Sequence, residues 1–216
     1  MRPIWLMMLA AGSLAAATET LRYTVNWPSG LSLGEAVLTA EGNTKFELVL
    51  EASIPGFAVK DEVRAWAKGD FCSVKLEKKL SHGGKKREEL MEFQPEAGVV
   101  TRKTLRGGES KLPLNGCGRD ALTMIHYLRS ELKQGRIPGA QQTFFGAAYQ
   151  LSFLYGGAQN VQIGGAYEAA DRIEVKIEGP ASRHTIELFF GRDAARTPLL
   201  MRAPLPLGAF TMELQR

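Results

Sequence analysis

The chain has 216 residues, 44% of them hydrophobic and 23% charged, which is enough for one sizeable core and short for two. Its 27 Lys+Arg against 23 Asp+Glu leave a net charge of only +4, and the basic residues are interleaved with acidic ones, as in Lys75-Leu76-Glu77-Lys78-Lys79 and Lys85-Lys86-Arg87-Glu88-Glu89. Such mixed runs dilute any field that a phosphate backbone would feel, so nucleic acid is excluded as a partner.

Residues 1–17 read as an export signal. Arg2 supplies the charge, Ile4 to Ala11 an apolar run, Gly12-Ser13 a break, and Ala15-Ala16-Ala17 the small residues a signal peptidase accepts. That apolar run is too short to span a bilayer, and no later one reaches the roughly 20 residues a membrane helix needs. Residue 18 is Thr rather than Cys, so a lipid anchor is not indicated. The expectation is a periplasmic protein without a transmembrane segment, residues 18–216 forming a single β-rich domain.

From there the chain reads mostly with a period of two. Leu21, Tyr23, Val25 and Trp27 alternate with polar neighbours before the turn Pro28-Ser29-Gly30. Leu31 to Ala40 slips phase around Gly34, which predicts a bulge. Phe46, Leu48, Leu50, Ala52 and Ile54 give the cleanest alternation; Val63, Ala65 and Ala67 continue it, followed by Cys72, Val74, Leu76 and Leu80. His82-Gly83-Gly84-Lys85 predicts a hairpin turn returning through Leu90 to Phe93, and Val99 to Leu105 is a further short strand.

The period changes once. From Asp120, Leu122, Ile125, Leu128 and Leu132 recur at helical spacing, with Met124 and Tyr127 widening the face. Asp120 is a suitable N-cap, and Gly135 with Pro138 a normal stop. Strands resume with Phe145, Ala147, Tyr149, Leu151, Phe153 and Tyr155, then Val161 and Ile163, Ile173 to Ile177, His184 to Phe190, Leu199 to Met201 and Phe210 to Leu214. Gly156-Gly157 and Gly164-Gly165 read as hairpin turns. The sum is a mainly β fold: an antiparallel, strongly curved sheet or incomplete barrel of about 10–12 strands, with one amphipathic helix packed on it.

The order of three features resembles a known family. They are Tyr23-Thr24-Val25-Asn26-Trp27-Pro28-Ser29-Gly30-Leu31-Ser32-Leu33-Gly34, the helix Asp120-Ala121-Leu122-Thr123-Met124-Ile125-His126-Tyr127-Leu128-Arg129, and the close through Thr197-Pro198-Leu199-Leu200-Met201 and Leu207-Gly208-Ala209-Phe210. Together these resemble the bacterial exported family called domain of unknown function 3108 (DUF3108), from about residue 20 to the end. The resemblance implies an antiparallel β fold and an envelope location; it carries over no activity and no catalytic residue.

Cys72 and Cys117, an even pair in an exported chain, predict one disulfide closing a loop of about 45 residues, worth roughly 3–4 kcal/mol. Two isolated cysteines are too few to hold a metal. His82, His126 and His184 lack the spacing of a metal pair and read as unrelated surface or edge residues; HExxH, GxSxG and phosphate-binding glycine motifs are absent. Asp61-Glu62, Glu88-Glu89 and Glu92 are the carboxylates available for acid/base work, but solvent-facing strand positions explain them. The reading is therefore of no enzyme, no metal and no cofactor.

The aromatic residues are the remaining lead. Trp27, Phe57, Trp66, Phe145, Tyr149, Phe153 and Tyr155 are candidates to line an apolar cavity; the competing reading is that they fill the core. The functional expectation is a non-catalytic periplasmic binding or carrier protein for an apolar small molecule or lipid. The alternative is an envelope module with a filled core that recognises a protein or polysaccharide. A glycan hydrolase comes third.

Overall fold

The computed structural model describes residues 17–54, 56–105, 107–180, 182–205 and 208–216. The segment expected to be an export signal, residues 1–17, lies outside the described residues except for Ala17.

Alternation builds the first half as a meander. β1 (Thr18–Asn26) buries Tyr23 and Val25, and β2 (Ser32–Glu41) buries Leu33, Ala36, Leu38 and Ala40. The phase slip in β2 is a bulge, with Val25 opposite Gly34 but Asn26 opposite Ser32. Gly34 lets β3 approach closely, since a Cβ there would fall on the backbone of Glu51 and Ala52. β3 (Lys45–Ile54), β4 (Phe57–Ala67), β5 (Ser73–His82), β6 (Lys85–Gln94), β7 (Val99–Thr104) and β8 (Glu109–Pro113) follow in order. Gly83 and Gly84 both hold positive φ (55° and 79°) in the two-residue β5–β6 turn, as its twist requires.

The second half begins with β9 (Arg119–Asp120) and α1 (Ala121–Lys133). It continues through β10 (Gln141–Phe144), β11 (Ala148–Ile163), β12 (Ala166–Glu178), β13 (Arg183–Gly191), β14 (Pro198–Leu205) and β15 (Gly208–Leu214). All fifteen described strands form one sheet in the order β8-β7-β6-β5-β4-β3-β2-β1-β15-β14-β13-β12-β11-β10-β9. Every pairing is antiparallel except β9 with β10. The count exceeds the sequence expectation because β8, β9 and β10, at five, two and four residues, are too short to display a period. The two glycine pairs also differ. Gly164-Gly165 is a hairpin turn, whereas β11 continues unbroken through Gly156-Gly157, with a bulge between Tyr155 and Ala158.

The sheet rolls up without closing into a barrel. Its last strand returns beside β5, where the Ser73 N–H donates to the Gly118 carbonyl at 2.9 Å and the Cys72–Cys117 disulfide joins the flanking segments across a Cα separation of 5.1 Å. Helix α1 starts there and packs into the roll. Asp120 caps it, accepting from the N–H groups of Leu122 (2.9 Å) and Thr123 (3.0 Å). At the other end Gly135 N–H reaches the Leu132 carbonyl and Arg136 N–H the Glu131 carbonyl, a Schellman stop.

The helix divides the apolar interior. Leu122 belongs to a large core with Tyr23, Phe46, Leu76, Met91, Phe144 and Phe189. Met124, Leu128 and Leu132 face a smaller cluster with Leu151, Ile173, Val175, Leu188 and Phe190. The successive residues Phe189 and Phe190 serve both cores at a bulge in the β13–β14 pairing.

Candidate functional site

The smaller cluster does not fill its space. Between α1 and β11–β14 lies a partly open cavity of about 290 Å³. One wall is the helix, through Ala121, Met124, Ile125 and Leu128. The sheet supplies Tyr149, Leu151 and Phe153 from β11, Val175 and Ile177 from β12, Ile186 and Leu188 from β13, and Met201 from β14. Thr143 and Phe145 complete the lining. The Thr143 hydroxyl is already spent on the Arg119 carbonyl at 2.9 Å. No lining residue is ionisable at neutral pH, so the cavity offers dispersion contacts and desolvation and no charge.

Charge begins immediately outside it. Phe145, in the β10–β11 turn, is 41% exposed at the rim, and the Lys78 ammonium lies 4.1 Å from the centre of its ring. Lys78 pairs with Glu89 at 2.5 Å, and Glu89 also accepts from Arg102 Nε at 2.6 Å. Burial lowers the Lys78 pKa, against its hydrogen bond to Glu89. Burial pushes Glu89 up, but the hydrogen bonds from Lys78 and Arg102 outweigh it and hold the carboxyl below its usual range.

These geometries can be set beside known proteins. The family model described as "Protein of unknown function (DUF3108)" matches residues 22–215. The chain belongs to this family. A search of curated proteins finds no match. Among solved structures, the crystal structure of a beta-barrel-like protein of domain of unknown function DUF1849 from Brucella abortus is similar, with a TM-score of 0.63 at 10% identity. The similarity covers 92% of this chain and 95% of that one, and at this identity it speaks to the fold alone.

Of the seven aromatics singled out in the sequence, the structure brings Phe145, Tyr149 and Phe153 to the cavity and leaves four outside it. Trp66 points to the opposite face of β4 from the buried Val63, Ala65 and Ala67, under Lys75 at 4.8 Å. Trp27 lies beyond the end of β1 against Phe210, ring centres 5.7 Å apart. Phe57 begins β4 and borders a different groove. Tyr155 shares the alternation of Tyr149 and Phe153 but stands at the β11 bulge, 48% exposed, its hydroxyl donating to Asp171 at 2.9 Å. Apart from Thr143 and the methionines Met124 and Met201, the lining residues not expected from the sequence are aliphatic. Their signal was the alternation Ile173-Val175-Ile177 and Ile186-Leu188, which marks a buried face without saying whether it is filled.

The polar candidates also find places. His82 is exposed and bonded to Asp61 at 2.8 Å, and His184 is exposed on β13. His126 is not a surface residue. It is buried, stacked on Phe46 with ring centres 4.1 Å apart, and its Nε2 has no partner among the described residues. Burial, reinforced by Arg129, lowers its pKa to about 3. Glu89 likewise faces inward rather than solvent. Glu62 lies 3.9 Å from Arg64, and Glu92 pairs with Lys103 at 3.1 Å. Among the described residues no group of three or more His, Cys, Asp or Glu is placed to hold a metal ion, and no helix is long and apolar enough to cross a membrane.

Proposed function

We propose that this chain is an exported, periplasmic, non-catalytic binding or carrier protein whose ligand places a lipid-like apolar group in the cavity between α1 and the β11–β14 sheet. The observation that carries the reading is the lining itself. A space of about 290 Å³ bounded by Ala, Met, Leu, Ile, Val, Phe and Tyr side chains, with Thr143 as the one hydroxyl already bonded within the fold, stands beside the buried cluster of Leu128, Leu151, Ile173 and Phe190. The apolar walls of such a partly open space gain dispersion contacts and leave water when an apolar occupant fills it.

The envelope-module reading has less behind it. A docking edge would favour it, but the free edge strand β8 carries Glu109, Lys111 and Pro113, residues that discourage strand addition. Chemistry on a glycan would ask for two carboxylates facing one cleft, and the cavity is lined by none.

The test is titration with an environment-sensitive apolar fluorophore. The wild-type chain binds it saturably. Ile186→Trp, which extends a larger side chain into the cavity from a half-buried strand position, weakens binding about tenfold or more while costing at most about 1–3 kcal/mol of stability. Undiminished binding by a folded Ile186→Trp variant contradicts the proposal.

A further inference from the structure

The inward face of the first half of the sheet continues past the apolar core. The register sets Leu76 opposite Met91, Lys78 opposite Glu89 and Leu80 opposite Arg87, and Met91 opposite Arg102. Residues two apart share a face, so Leu80, Arg87 and Arg102 point the same way as the buried Leu76 and Met91. The sequence along this face therefore runs from hydrocarbon, through the Lys78–Glu89–Arg102 ion cluster, to an open groove of about 1030 Å³.

That groove is basic. Lys85, Arg87 and Arg102 face it, Lys86 and Glu88 border it from the other face of β6, and Phe57 and Leu80 give it a partly apolar floor. Of the four cations only Arg102 is in an ion pair among the described residues, and the nearby Asp61 is taken by His82. Lys85 and Arg87, two cationic heads without carboxylate partners among the described residues, share a face with the apolar Leu80 and suit an anion attached to hydrocarbon.

The groove and the cavity are neighbours. Phe145 forms the cavity rim on one side and meets Lys78 on the other; Lys78 binds Glu89, and Glu89 binds Arg102 in the groove wall. One aromatic ring and one ion cluster separate the two. We propose that the groove holds the anionic headgroup of the same molecule whose hydrocarbon occupies the cavity, so that the ligand is a carboxylate- or phosphate-headed acyl lipid. This rests on the cavity reading above and narrows it.

The probe is cis-parinaric acid, compared with its uncharged methyl ester, on the full purified chain. The wild type binds the acid about tenfold more tightly than the ester, a preference that shrinks at high salt. The variant Lys85→Gln/Lys86→Gln/Arg87→Gln changes only exposed positions and leaves the buried ion cluster intact. It brings the acid down to the ester's affinity and leaves the ester unchanged. Equal binding of acid and ester by the wild type, or an undiminished acid preference in the triple variant, overturns the headgroup assignment while sparing the cavity. Failure of the wild type to bind either probe overturns both. Competition by a fatty acid against a single-chain phosphate-headed lipid then assigns carboxylate or phosphate.

Discussion

The Ser73 hydroxyl donates to the Asp120 carboxylate at 2.6 Å, and the Asp120 N–H returns a bond to the same hydroxyl at 2.8 Å. Asp120 is fully buried, and its carboxyl also receives the Thr123 hydroxyl at 2.6 Å and caps two backbone N–H groups of α1. One carboxyl therefore fixes the start of the cavity-forming helix to β5. Asp120→Ala removes the cap and orphans Ser73 and Thr123, lowering stability by about 2–4 kcal/mol. Ser73→Ala costs less, about 1–2 kcal/mol. Urea denaturation at constant slope measures both, and a loss below about 0.5 kcal/mol for Asp120→Ala contradicts this role.

His126 makes the fold sensitive to mild acid. The folded ring stays neutral down to a pKa of about 3, whereas the unfolded histidine takes up a proton near its ordinary 6.5. Between those values acid favours the unfolded chain, and above them the residue contributes no pH dependence. The wild type is expected to be roughly 2 kcal/mol less stable at pH 5 than at pH 7.5 on this account. His126→Phe, which keeps a ring on Phe46, flattens the dependence. An unchanged difference between the two pH values in the variant assigns it to other groups.

The disulfide supports the same corner. Cys72 precedes Ser73, and Cys117 lies three residues before Asp120. The double variant Cys72→Ser/Cys117→Ser loses roughly 3–4 kcal/mol, from the unfolded state regaining its freedom. Because the loosened segment is the helix start, affinity for an apolar fluorophore falls with it. Thermal denaturation and titration of the double variant check both expectations; an unshifted midpoint contradicts the first.

The proposed cleavage after Ala17 bears on a contact at the start of β1. β1 begins at Thr18, and Glu19 makes a two-pronged contact with the buried Arg129, at 2.6 and 2.9 Å. Cleavage after Ala17 keeps that pair, while removal of residues 18–20 leaves Arg129 without its carboxylate and destabilises the fold by about 3 kcal/mol. N-terminal sequencing of the chain from the periplasm of an expressing bacterium is expected to read Thr-Glu-Thr. A retained Met1 contradicts the export reading.

What the sequence made legible was local. The β3 alternation of Phe46, Leu48 and Leu50, the Gly83-Gly84 turn and the helix between Asp120 and Gly135 each carry their signal within a few residues. The cavity was legible only in part, because lining a void and filling a core use the same side chains. Trp66 shows where parity decides: its neighbours Ala65 and Ala67 point inward, so the tryptophan points out. Tyr155 shows where parity fails, since an extra residue at Gly156-Gly157 bends β11 just beyond it. Glu89 and His126 look like surface groups in the sequence because their partners, Lys78 with Arg102 and Phe46, come from other segments.

The most direct measurement is native mass spectrometry of the wild-type chain, expressed with its own N-terminal segment and purified without detergent, followed by solvent extraction. The predicted result is a mass increment of one apolar molecule per chain that disappears on extraction and is absent from Ile186→Trp. A bare polypeptide mass, reduced only by the two hydrogens of the Cys72–Cys117 bond, with no apolar compound in the extract, contradicts the carrier function.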